Sequence, residues 1–288
     1  MMRICLMLTL AIIIASGEPI HAEEPLDILF LTKSSTFEHP SIKRRDGELG
    51  HAEKVMVAVG EQNQLRVRAT KDAGEINAEN LVNYDIVVFY TTGDLTESGS
   101  GSGLFGGDGN PPMAADGLDA LRTWVKSGGG FVGYHCAADT FHGEADTVSP
   151  YIEMLGGEFV VHGKQFVGRV AVTDAAHPSM MRFPDGWTHL EEWYTFKNYA
   201  TDSIRVLALL ETGPERANQP MYDRDPYPIV WCRTFGEGRV FYNAIGHRED
   251  IWDQQDFQNS VVDAIRWASG AGDASAEPNF DDVVNATE

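Results

Sequence analysis

Short, almost continuous apolar runs alternate with helix-like stretches in the first half of this chain, and that alternation restricts the fold more than any other feature. Leu26 to Thr32, Asp85 to Thr91 and Phe131 to Tyr134 are too short for helices and have no regular polar face, as expected of strands buried on both sides. Between them Leu49, Ala52, Val55, Met56 and Val59 recur at helical spacing, Leu65 to Ala69 alternates as a short strand, and a second helix is predicted near Asp116 to Lys126. Strand alternating with helix implies a parallel sheet with right-handed crossovers. The second half reads differently. Val167 to Thr173, Ile204 to Glu211, Pro228 to Thr234 and Arg239 to Ala244 are predicted strands with no long helix between them, and Phe235 to Gly238 is a hairpin turn joining the last two. A closing helix spans about Asp256 to Ser269. The expected fold class is α/β: a mainly parallel sheet flanked by helices, with β-hairpin strands added in the second half.

The two ends are expected to lie outside this domain. Arg3, the apolar run Leu6 to Ala15 and Ile20-His21-Ala22 resemble a secretory signal over residues 1–22; the apolar run falls short of the ~20 residues that span a membrane. The chain is therefore expected to be exported, periplasmic or secreted. Residues 271–288 are small and acidic and are expected to form a disordered tail, leaving 25–270 as the domain. The formal net charge of −21 repels phosphate backbones and anionic lipid heads, arguing against nucleic-acid or membrane-surface partners and for a neutral or cationic small ligand. Of three cysteines, Cys5 falls in the leader; Cys136 and Cys232 sit in apolar runs and read as buried free thiols, although an oxidising compartment permits a bridge.

Polar chemistry gathers at the predicted strand ends, where open α/β sheets place their ligands. His39 lies in the loop after the first strand, His135 and Asp139 follow Phe131 to Tyr134, His162 precedes the Val167 strand, Glu191 and Glu192 abut Trp193, and His247 follows the last strand. Imidazoles and carboxylates converging from such positions serve proton transfer or hold a divalent metal. No His-x-Glu-x-x-His or paired-cysteine spacing is present, so metal binding is not legible from local spacing and no cofactor is assigned. Trp193 and Tyr194 beside Glu192 read two ways: as a platform for a sugar ring, or as a core tryptophan beside a solvated glutamate. His51 and His177 read as surface residues. Gly101 to Gly106 has the letters of a dinucleotide fingerprint, but it sits in a Ser/Gly-rich loop and Pro111-Pro112 follows where a helix should run; a mobile loop or lid is the expectation.

Gly133-Tyr134-His135-Cys136-Ala137 has the frame of a nucleophile elbow with His at its centre. Together with Phe37-Glu38-His39, Tyr84 to Phe89, Gly128 to His135, Ala137 to Thr140, Glu192-Trp193-Tyr194 and Gly238 to Tyr242 running on to Gly246-His247, it resembles the ThuA-like (trehalose utilisation) family, of the class I glutamine amidotransferase-like superfamily, over about Leu26 to Ser269. The resemblance implies a flavodoxin-like sheet and a role in carbohydrate metabolism, on disaccharides or their keto forms. Two departures stand out: Tyr227 occupies a position where the family often has His, and Ser98 to Pro112 is longer than expected. Cysteine-dependent amidotransferase chemistry is not expected, because His135 holds the elbow and Cys136 should point elsewhere. Two functions follow. The first is an isomerase, lyase or hydrolase using His135, His39, Glu192, His247 and Asp139 for acid–base work, with Trp193, Tyr194 and His162 contacting the sugar. The second is a non-catalytic sugar-binding or accessory protein.

Overall fold

The computed structural model describes residues 24–145 and 147–284; the proposed leader lies outside them. The apolar runs form the centre of a nine-stranded sheet ordered β2-β1-β3-β4-β11-β10-β9-β6-β7. Its parallel half consists of β1 (Leu26–Leu31), β2 (Leu65–Thr70), β3 (Ile86–Phe89), β4 (Gly130–Tyr134) and β11 (Gly238–Asn243). Ile28, Leu29, Phe30 and Leu31 are fully buried, each contributing about 1.5–3 kcal/mol of apolar transfer. The helices His51–Gln62, Gly117–Lys126 and Gln255–Ala268 cover this half, close to their expected positions. The antiparallel half adds β10 (Tyr227–Phe235), β9 (Arg205–Glu211), β6 (Phe166–Val172) and β7 (Trp187–Glu191). A separate ribbon pairs β5 (Glu158–His162) with β8 (Tyr194–Lys197). The fold is thus mixed α/β as expected; β5, β7 and β8 are strands that the sequence pattern did not reveal.

Two expectations are corrected. The segment after Gly270 is not a free tail over its described residues. The indole Nε1–H of Trp267 donates to the Ala274 carbonyl, Asn279 exchanges two hydrogen bonds with the Val206 backbone, and Phe280, opening the helix Phe280–Val284, packs 5.5 Å from Tyr199. His177 is not a surface residue either. It is 1 % exposed, its ring packs 5.0 Å from Trp267, and its Nδ1 meets Ser179 Oγ at 2.8 Å. His51 is half-buried and pairs with Asp253 at 2.8 Å.

The Gly-rich loop is pinned at its roots. Lys33 Nζ, fully buried, donates to Asp108 at 3.0 Å and to the Ser98 carbonyl at 2.8 Å, while Lys71 bridges Glu38 and Asp108. Leu104 and Phe105 at the tip are 68 % and 72 % exposed. The glycines lie in no strand-to-helix turn, so the nucleotide-motif letters have no structural counterpart.

Burial holds the His177 imidazole down to about 4, with Asp174 opposing and Arg205 and Arg239 adding to the shift. The unfolded chain therefore binds a proton there that the native chain refuses, so this contribution to stability is present above about pH 6.5 and is lost as pH falls toward 4. His177→Leu should flatten the acid limb of urea-melt stability against pH by on the order of 2–3 kcal/mol between those pH values; an unchanged limb would contradict the placement.

Candidate active site

The chain leaves β4 through a sharp turn. His135, first residue of the 3-10 turn His135–Asp139, has φ 42°, a left-handed conformation that costs a non-glycine residue of order 1–3 kcal/mol and is found at functional turns. The expected elbow is therefore present, but its tip is not exposed: His135 is 0 % exposed. Its Nδ1–H donates to the Ala244 carbonyl at 2.9 Å, which fixes the tautomer and aims Nε2 away from that carbonyl.

Nε2 of His135 faces His247 Nδ1 at 3.3 Å and Glu192 Oε2 at 3.5 Å. His247 Nδ1 is 3.1 Å from the same carboxylate oxygen, and His39 Nε2 is 4.0 Å from it. One ligand-type atom from each of His39, His135, Glu192 and His247 lies within 4.8 Å of every other. Tyr194 closes one side, its hydroxyl 3.4 Å from His39 Nε2 and its ring 4.2 Å from that of His135. Burial pushes His39 well below the usual imidazole range, with His135 and His247 adding to the effect, and pushes His135 down against the pull of Glu192. For Glu192, burial acts upward, but His135 and His247 outweigh it and keep the carboxyl ionised far below its usual range.

Buried groups that do not enter the cluster hold its parts together. Glu191, fully buried, accepts the Glu192 N–H at 2.7 Å on one oxygen and the Gly246 N–H at 3.0 Å on the other. It thereby ties the segments carrying Glu192 and His247. Tyr90 Oη meets Ser41 Oγ at 2.8 Å and donates to the Gly246 carbonyl at 2.9 Å, tying the His39 segment to the same point. Trp252 Nε1–H donates to that carbonyl as well. Gly246 has φ 125°, where a side chain would strain the turn that presents His247. Tyr90 carried no sequence signal beyond its place at a strand end; Glu191 sat beside Glu192 without a distinguishable role.

Of the other expected site residues, His162 joins the cluster and Asp139 and Trp193 do not. His162 Nδ1 lies 3.2 Å from Glu192 Oε1 and 3.0 Å from the Gly163 carbonyl, with the side chain 41 % exposed. Asp139 turns instead to His142 Nε2 at 2.6 Å, whose Nδ1 meets Glu158 at 2.8 Å; it belongs to a neighbouring acidic–histidine chain. Trp193 is no sugar platform: it is fully buried, its Nε1–H donates to the Phe166 carbonyl at 3.0 Å, and its indole fills the space above Gly168, where an added Cβ would come within 2.7 Å. Aromatic surface near the cluster comes from Phe37, edge-on to His39 at 4.9 Å, and Phe105, 6.1 Å from Phe37. Cys136 and Cys232 are free and buried, and burial pushes the Cys136 thiol well above its usual range, so no thiolate stands at the elbow.

Because Glu191 satisfies two buried backbone N–H groups, Glu191→Gln must set an amide NH₂ against one of them. A loss of about 1–3 kcal/mol is expected, read as a lower midpoint in denaturant; stability unchanged within error would mean that the tie is not formed.

No curated protein matches the sequence. Solved structures with this fold include a ThuA-like protein of Parabacteroides merdae ATCC 43184 (TM-score 0.63, 15 % identity, covering 89 % of this chain and 94 % of that one). A ThuA-like protein of Bacteroides uniformis ATCC 8492 superposes with TM-score 0.58 at 21 % identity, covering 88 % and 95 %. A cytoplasmic protein of Salmonella typhimurium LT2 gives 0.56 at 14 % identity, covering 84 % and 99 %. The sequence profile described as ThuA, trehalose utilisation, matches residues 27–268. That span takes in both halves of the sheet and every member of the histidine–glutamate cluster, and on it the chain belongs to the ThuA family.

Proposed function

We propose that this chain is an exported enzyme of carbohydrate metabolism that acts on a disaccharide or its keto derivative by acid–base chemistry. The observation that carries the proposal is the convergence of His39, His135, Glu192 and His247 at the carboxyl end of the parallel strands, with His162 on its solvent side. His162 is the best-placed base. Its Nδ1–H donates to the Gly163 carbonyl at 3.0 Å, with Glu192 Oε1 3.2 Å away, which leaves the Nε2 lone pair free on a half-exposed ring. On a keto-sugar, Nε2 would take the proton beside the ketone while the C–H pair forms the C=C bond of an enolate and the carbonyl π pair moves to the oxygen. Where the deprotonated carbon carries a hydroxyl, passage of that hydroxyl's proton to the former carbonyl oxygen and return of the imidazolium proton to the former carbonyl carbon give isomerisation; departure of a β-glycosyloxy group, which takes the imidazolium proton as it leaves, gives eliminative glycoside cleavage. Phe37 and the exposed Phe105 offer apolar faces suited to the C–H side of a pyranose ring. Location in the periplasm or outside the cell is part of the proposal and rests on the leader-like residues 1–22; among the described residues no helix is long and apolar enough to cross a membrane.

A binding or accessory role is the second reading, favoured by the closure of the cluster: His39 and His135 are 2 % and 0 % exposed, so only His162 and the edges of Glu192 and His247 meet solvent. Incubation with trehalose, other disaccharides and their 3-keto derivatives, followed by mass spectrometry, separates the two. Conversion is expected, with His162→Ala slower by about 10²–10⁴-fold and little change in melting temperature, and Cys136→Ala within a few-fold of wild type. Calorimetric binding of a sugar without conversion of any would select the second reading.

A further inference from the structure

We infer that the cluster is a metal centre: His39 Nε2, His135 Nε2, His247 Nδ1 and a Glu192 carboxylate oxygen bind one first-row divalent transition ion. This rests on the same site as the proposed function but concerns what the site holds, not what it converts.

His135 spends its only neutral-state N–H on Ala244, so its Nε2 presents a lone pair to Glu192 Oε2 at 3.5 Å, and an ionised carboxylate presents only lone pairs in return. His247 Nδ1 has one proton at most, yet faces both His135 Nε2 and Glu192 Oε2. Acceptors crowded face to face need a cation between them. An imidazolium at His135 would also supply a cation; what favours a metal ion is the convergence of four ligand atoms from four separate segments.

The spacing agrees. Ligand atoms at ~2.0–2.1 Å from a tetrahedral ion lie about 3.3–3.4 Å apart. The three separations within His135, His247 and Glu192 are 3.3, 3.5 and 3.1 Å, and His39 stands 4.0 Å from Glu192, close enough for a small rotation to bring it in. Imidazole with one carboxylate and no thiolate is a donor set for ions such as Zn²⁺, Mn²⁺ or Fe²⁺ and a poor one for Ca²⁺ or Mg²⁺, which take mainly oxygen ligands. The surroundings are those of a metal site as well: the Ala244 carbonyl fixes the His135 tautomer, His162 Nδ1 stands 3.2 Å from the remaining Glu192 oxygen, and Glu191 and Tyr90 tie the backbone segments that carry three of the ligands, His39, Glu192 and His247.

The test uses the untagged full chain, stripped with chelator and titrated with Zn²⁺ or Co²⁺ alone. Expected are one ion per chain surviving dialysis, visible ligand-field absorption with Co²⁺, and a raised melting temperature on loading. Glu192→Gln and His247→Gln should remain folded by circular dichroism and weaken binding more than the roughly 10–100-fold typical of losing a second-layer partner, whereas His51→Ala should bind as wild type. No stoichiometric binding by the wild type, or undiminished binding by both folded variants, overturns the inference. Since no sugar enters this experiment, its failure is distinct from failure of the functional reading. A chain that binds the ion and converts no sugar keeps the centre and loses the enzyme; one that binds no ion and converts a keto-sugar equally in chelator does the reverse.

Discussion

The molecule depends on β11, the strand shared by its two halves. It pairs parallel with β4 on one side and antiparallel with β10 on the other, so the nine strands become one sheet only through it. Val240, Phe241 and Tyr242 are fully buried, and the Tyr242 hydroxyl donates to the His135 carbonyl at 2.6 Å. Directly after the strand come the Ala244 carbonyl that orients His135, the Gly246 peptide gripped by Glu191, Tyr90 and Trp252, and His247 itself. A strand buried on both sides has no freedom to slip, because a one-residue shift would reverse every side chain. The position of the cluster is thus inherited from the register of the core.

The cluster also shows why a strained residue is retained at the β4 turn. The left-handed conformation of His135 would relax if nothing opposed it. Here its imidazole is bound to Ala244, its carbonyl accepts from Tyr242, and its ring lies against Tyr194. These three contacts over-determine the position, which is the condition for local strain to persist. The same architecture explains the inert thiol next door. Cys136 is turned into the core, where burial keeps it protonated, so the turn presents an imidazole and no thiolate.

Much of this is legible in the sequence. Continuous apolar runs imply strands covered on both faces, and helical spacing between them implies crossovers; chain connectivity then leaves few arrangements. The placement of His39, His135 and His247 followed from the same reasoning, since parallel strands all end on one side and whatever follows them must meet there. Glu192 and His162 are polar residues near strand ends, though the ends in question belong to β7 and β5, five-residue strands that bury Glu191 and Glu158 and expose Leu190, Val160 and Val161, so that neither reads as a buried apolar run or a regular alternation.

What the linear pattern left undecided was direction. Glu191, Glu192 and Trp193 are consecutive, yet one clamps two backbone amides, the next faces four imidazoles, and the third fills the space over Gly168. This break between β7 and β8 has no period from which to read sidedness. His177 and Asp139 were misplaced for a related reason: a histidine before a proline and an aspartate after an elbow are ordinary loop residues until Trp267 closes over the one and His142 draws off the other. By itself the sequence determined the layered parallel sheet and the edge at which its chemistry collects, because burial and connectivity act on whole segments. Which side chain turns inward at that edge was decided only by tertiary packing, since that choice depends on neighbours tens to hundreds of residues away.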